Sequence, residues 1–143
     1  IFGYGTAASG RVSITNLVSN LGVVGTDVTG VGTASRHKAA ASYGGDKAIF
    51  GFGLNNAGAK ISITNLVNSS GVVASDVSGV GTARSLLAAA SFGGDKALFA
   101  YGDTGSDSSL SNLVNSSGVV ASDVTGVGTA RHGLAAAGYS NAA

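Results

Sequence analysis

Residues 49–82 read IFGFGLNNAGAKISITNLVNSSGVVASDVSGVGT, and the fold turns on this stretch. Its apolar runs are short: IFGFG over 49–53, ISITNLV over 61–67 and VVASDV over 72–77. Gly, Asn and Ala follow the first, Asn68-Ser69-Ser70-Gly71 the second, and Gly79-Val80-Gly81-Thr82 the third. Runs of this length, β-branched and partly alternating between turn signals, predict strands. The run LLAAASF over 86–92 opens the next unit and ends at Gly93-Gly94-Asp95-Lys96, which reads as a tight hairpin because Gly accepts positive φ. Alanine is the best helix former, so helix is the rival for this run. Five to seven residues between Gly-rich turns are too few for a stable helix.

The same pattern occurs three times. Repeats cover 1–48, 49–97 and 98–143 and together form a single repeat domain. Asn16, Asn65 and Asn112 keep register, as do Asp27, Asp76 and Asp123, and Thr33, Thr82 and Thr129. Each Asn precedes its Asp by 11 residues, whereas the segment upstream of the Asn changes length, which places the length changes in a loop. Self-similarity at this period is the mark of a repeat architecture. Four runs in each of three repeats predict an all-β protein of twelve strands. In Phe2-Gly3-Tyr4-Gly5 and Phe50-Gly51-Phe52-Gly53, alternation puts the aromatics on one face and Gly on the other, where a neighbouring sheet can approach closely.

Composition narrows function more by exclusion than by indication. The 143 residues include 24 Gly but no Pro, Cys, Met or Trp, and no Glu or Gln. Disulfides and thiolate metal sites are therefore impossible. Eight Lys or Arg against seven Asp leave +1 with no basic run, which gives a nucleic-acid or anionic-membrane partner no electrostatic support. No apolar stretch reaches the roughly 20 residues of a membrane-spanning helix. A chain that starts at Ile1 reads as trimmed or cut from a longer protein.

Four-stranded units at this period point to β-propeller blades. Thr82-Ala83-Arg84 leads into LLAAASF, a Gly93-Gly94 turn leads into ALFAYG, and Leu110–Val114 with Val119–Val124 supply two more runs. This order resembles the kelch repeat, loosely and over all 143 residues. The family's double Gly becomes Gly3-Tyr4-Gly5, Gly51-Phe52-Gly53 or Ala100-Tyr101-Gly102, Asn stands for its third-strand Tyr, and its Trp is missing. The chain is thus similar to a degenerate kelch-like propeller. In texture it is also similar to repetitive segments of bacteriophage structural and tail-associated proteins, which implies a virion or extracellular setting. The copper site of some kelch-containing oxidases has no counterpart, because it needs Cys.

Gly30-Val31-Gly32-Thr33 and its equivalents echo a phosphate loop but are flanked by strands rather than set in a βαβ unit, so they read as inter-blade turns. Asp27, Asp76 and Asp123, with Thr33, Thr82 and Thr129, read as structural, each carboxylate accepting backbone N–H groups of the turn that follows it. One carboxylate per repeat is too few for calcium, so no metal or cofactor is expected. His37 and His132 occupy different alignment positions, and copies this alike supply no catalytic constellation; no enzyme is expected. Arg84 and Arg131 are read as pairing with a neighbouring blade's Asp. The aromatic strand supplies inter-blade core, and Tyr43, Phe92 or Tyr139 at hairpin tips could stack on a sugar.

Function is expected to be that of a non-enzymatic structural or protein-interaction module, with a carbohydrate-binding, lectin-like propeller as the alternative. The loop after the aromatic strand varies in charge between copies, carrying Arg11, then Lys60, then Asp103 and Asp107, and forms the expected rim for a protein or glycan partner. Propellers close with about four to eight blades, and three leave open edges. Ile1–Gly5 lacks a first strand, and Leu134–Tyr139 is a first strand without its partner. Head-to-tail self-association to a six-bladed dimeric ring would complete both.

Overall fold

A computed structural model describes residues 1–139; the last four residues of the third repeat lie outside the described residues. The chain is all-β. Its strands are β1 (Phe2–Ala7), β2 (Gly10–Asn16), β3 (Ser35–Arg36), β4 (Ala39–Tyr43), β5 (Lys47–Gly51), β6 (Leu54–Asn55), β7 (Thr64–Val67), β8 (Ala88–Phe92), β9 (Lys96–Asp103) and β10 (Asp107–Val114). They form four small antiparallel sheets, β1-β2, β3-β6, β4-β5-β7 and β8-β9-β10, none of them closed.

Ten strands stand among the described residues: eight of the twelve expected, plus the short β3 and β6, which the sequence had not suggested, and the fourth run is lost for the same reason in every repeat. The fourth run meets the third at isolated bridges rather than along a continuous ladder: Thr64 with Val77 and Val67 with Val73 in the second repeat, Thr15 with Val28 and Val18 with Val24 in the first, Ser111 with Val124 and Val114 with Val120 in the third. Three steps on one side oppose four on the other, so each fourth run carries one extra residue. A bulge of this kind interrupts the ladder and re-aims neighbouring side chains. The Leu134–Tyr139 segment, expected as a first strand, forms no strand and pairs with no other strand among the described residues.

In the β4-β5-β7 sheet the central strand β5 is packed on both faces, whereas Ala40 and Ser42 of the Ala-rich β4 stay exposed on one side. On one face, Phe50 packs with Val67, Val73, Ile1 and Tyr4. Ile49 and Phe52 pack on the other with Tyr43, Leu87, Ala97, Phe99 and Val114. Two aromatics placed two apart on a regular strand would share a face. Here they do not, because Tyr4, Phe52 and Tyr101 all adopt left-handed φ near 62° and the following Gly continues at φ of 110° to 115°. This corrects the expected one-sided aromatic face. The backbone strain at these residues, on the order of 1–3 kcal/mol each, is held in place by the ring packing it permits.

Glycine gives the repeats their close spacing. A Cβ on Gly51 would come within 2.7 Å of Cζ of Phe99, and one on Gly3 within 3.1 Å of Cζ of Phe50. Each repeat's leading Phe thus lies against the small residue of the repeat before it. Phe50 is 5% and Phe99 0% exposed, whereas Phe2, the same residue of the first repeat, is 62% exposed. The hairpin between β4 and β5 is closed by Gly44-Gly45, both with positive φ, and Gly44 N–H donates to Asp95 O in the matching hairpin of the next repeat.

Candidate functional site

The recurrent polar residues meet at the junctions between repeats. The Asn at the third run explains itself through the bulge. Asn65 Nδ2 donates both to Ala74 O at 3.3 Å and to Asp76 Oδ1 at 2.8 Å, filling the break in the ladder. Asn16 does the same with Gly25 O and Asp27, and Asn112 with Ala121 O and Asp123. Buried carbonyls need such donors.

Two of these carboxylates, Asp76 and Asp123, are gripped by the connector arriving from the repeat before. Thr33 donates to Asp76 from its backbone N–H, at 3.1 and 3.0 Å, and from its hydroxyl at 2.6 Å. Thr82 binds Asp123 with the same pattern, at 3.2, 2.9 and 2.6 Å. The partner Thr therefore comes from the preceding connector, not from the turn that follows the Asp as the sequence had suggested. Burial works against both carboxylates, but the hydrogen bonds from the Thr and the Asn outweigh it and hold both pKa values below the usual range. Gly32 and Gly81, both at positive φ, leave room for these carboxylates, since a Cβ on either would collide with the Asp and the Asn.

A cation completes each junction. Arg84 is fully buried, donating from Nε to Tyr101 O at 2.8 Å, from Nη1 to Thr82 O at 3.2 Å and from Nη2 to Asn112 Oδ1 at 2.6 Å. Its guanidinium lies 4.2 Å from the Phe52 ring centroid and its Nη1 3.8 Å from Asp123. Burial opposes the charge, and Asp123 supports it. In the preceding junction Lys38 takes this place, with Nζ 3.1 Å from Asn65 Oδ1 and 4.3 Å from the Tyr4 ring centroid. Burial lowers Lys38 to about 8 despite Asp76. Sequence alignment pairs Lys38 with Leu87 and Arg84 with Ser35, so the shared role of the two cations was invisible until the chain folded.

The rim residues are placed as follows. Lys60 Nζ lies 3.2 Å from Asp103, and Asp107 lies 2.6 Å from His132 Nδ1, so three of the four rim charges are engaged within the chain. Arg11 and Arg36 each keep a buried Nε without a hydrogen-bond partner among the described residues. His37 lies nearby at positive φ; burial first, then Arg36 and Arg11, lower its pKa. The two His residues are not brought to a common site with a nucleophile. Of the aromatics expected at hairpin tips, Tyr43 is buried in the core, while Phe92 and Tyr139 are exposed and line a shallow recess with Gly93, Gly94 and Gly138. Gly30, Gly79 and Gly126 press against the backbone of Ser13, Ser62 and Ser109, which is the close approach of a connector rather than a ligand cradle. No family model and no curated protein matches the chain.

Proposed function

We propose that this chain is a non-enzymatic structural and protein-interaction module, a degenerate kelch-like β-propeller whose repeats are blades and whose chains associate head to tail, a dimer giving a six-bladed ring. The observation that carries this reading is where the recurrent polar residues go. Asn65, Asp76, Thr33 and Lys38, then Asn112, Asp123, Thr82 and Arg84, are occupied in fastening one repeat to the next. A catalytic site needs unlike acid, base and nucleophile groups converging on one open space, whereas here the like groups of each copy hold like structures together. The likeness to repetitive phage structural segments fits the same role, in a virion or another extracellular assembly.

A lectin-like role is the second reading, favoured by one feature: Phe92 and Tyr139 expose their rings beside a shallow glycine-lined recess. Aromatic faces of this sort can stack on sugars. A glycan array separates the readings, since saturable sugar binding lost in Phe92→Ala would replace the structural role. Ester, glycoside and phosphate-ester substrates test for catalysis; turnover abolished by His132→Ala would overturn the non-enzymatic reading.

A further inference from the structure

The first and third repeats each carry one half of the fastening seen twice inside the chain. At the first repeat, Asn16 and Asp27 are bonded to each other at 2.8 Å just as in the other copies. Among the described residues, though, no connector Thr reaches Asp27 and no cation reaches Asn16 Oδ1. At the third repeat, Arg131 repeats the pose of Arg84. Its guanidinium lies 3.9 Å from the Tyr101 ring centroid, and Nη1 donates to Thr129 O at 3.0 Å. Gly128 repeats the φ of Gly32 and Gly81, yet a Cβ built there would meet only the Tyr101 hydroxyl, at 3.6 Å, where its equivalents would meet an Asp and an Asn.

We propose that these halves join: Thr129 and Arg131 of one copy grip Asp27 and Asn16 of a second copy of this chain. The inference rests on the head-to-tail reading above and names the surface that makes it. The charges are complementary, a carboxylate on one face and a guanidinium on the other. Two further features run the same way. Among the described residues, the free edge of β1 lacks the first strand that β4 gives β5 and β8 gives β9, while Leu134–Tyr139 has the matching sequence and no strand partner. The internal registers, Ala39 opposite Gly51 and Ala88 opposite Ala100, place Ala135 opposite Gly3 and Ala136 opposite Phe2 of the next copy. The exposed Phe2 would then face Ala100, where Gly3 and Gly51 receive the equivalent rings inside the chain. Ala100 carries the Cβ that those glycines avoid, so Phe2 seats less deeply than Phe50 or Phe99.

Sedimentation of the intact chain and two variants tests this junction. The head variant is Phe2→Asp with Asp27→Ala, and the tail variant is Thr129→Ala with Arg131→Ala. These side chains are exposed, so each variant keeps its β circular dichroism and, at dilutions where the native chain is unassociated, its urea midpoint. The native chain is expected to associate, and each variant alone to associate at least about 10-fold more weakly, as loss of charge-assisted hydrogen bonds requires. Mixed in equal amounts, the variants should form two-chain species and stop there, because each supplies the half the other lacks. Ala100→Gly should strengthen native association. A native chain that stays monomeric, or a mixture that stays monomeric, would overturn the junction. Association that survives in both variants would also overturn it while leaving the module reading intact. That reading fails separately, by substrate turnover or specific sugar binding.

Discussion

Replacing Arg84 with Met should be among the most damaging single changes in the chain. The side chain is fully buried, and its removal leaves three acceptors, Tyr101 O, Thr82 O and Asn112 Oδ1, without their donor. It also strips Asp123 of the cation 3.8 Å away and the Phe52 face of its charge. Met restores much of the volume, which isolates the polar loss from a cavity effect. Removing one partner of a buried, hydrogen-bonded charge costs about 3–5 kcal/mol. A domain of this kind is stable by roughly 5–15 kcal/mol, so about a fifth or more of its stability would go. Arg84→Lys should cost less, since Lys38 shows that an ammonium can serve the equivalent Asn of another junction, though Tyr101 O and Thr82 O would still lose their donors. The assay is urea unfolding followed by circular dichroism, with the slope held common. Arg131→Met is the internal control, because it removes the same cation from an exposed setting. It should shift the unfolding of dilute, unassociated protein by less than about 1 kcal/mol. An Arg84→Met loss below about 1 kcal/mol, or equal losses at Arg84 and Arg131, would refute the argument that burial makes this contact matter.

Three further outcomes follow from the junctions and the stack. Gly51→Ala should destabilise by about 1–3 kcal/mol, because its Cβ would approach Phe99 Cζ to 2.7 Å and the two flanking ring carbons to 3.1 and 3.2 Å. Phe99→Leu in the same chain should recover part of that strain term in a thermal double-mutant cycle, and strict additivity would count against ring contact. Lys38 has a folded pKa of about 8, below its unfolded 10.5, so the unfolded chain holds more protons between them and stability should rise with pH across that interval, by up to roughly 3 kcal/mol. Tyr4, raised by burial and then by Asp76, reverses the trend once pH exceeds about 10, so urea midpoints at about pH 7.5 and about pH 9.5 give the cleanest test. The rise should vanish in Lys38→Met. Asp76 and Asp123 have lowered folded pKa values, so their contribution is complete above the unfolded carboxylate range and lost as pH falls through the folded values. Asp123→Asn should flatten the acid limb of the stability curve, and an unchanged limb would show that the grip on Thr82 contributes nothing.

By itself the sequence determined the strand class, the three repeats and the identity of the polar anchors. Short β-branched or Ala-rich runs between Gly- and Asn-rich turns cannot sustain helices, and that is a local property of the chain. It could also say that the Asn and Asp recur together, since their 11-residue spacing is printed three times. Only the tertiary structure decided what they recur for. Asp76 takes its donors from Thr33, 43 residues earlier, so reading each Asp against its own following Thr looked to the wrong copy. The bulge in each fourth run, which divides the expected strand into bridges and turns the Asn side chain into a ladder substitute, comes from one surplus residue counted against a distant partner. The left-handed φ at Phe52 sends consecutive aromatics to opposite faces, against the alternation a strand pattern assumes. Lys38 and Arg84 fill one place from unaligned positions because a long cationic side chain is recognised by where its charge ends, and that endpoint is set by packing between repeats rather than by position along the chain.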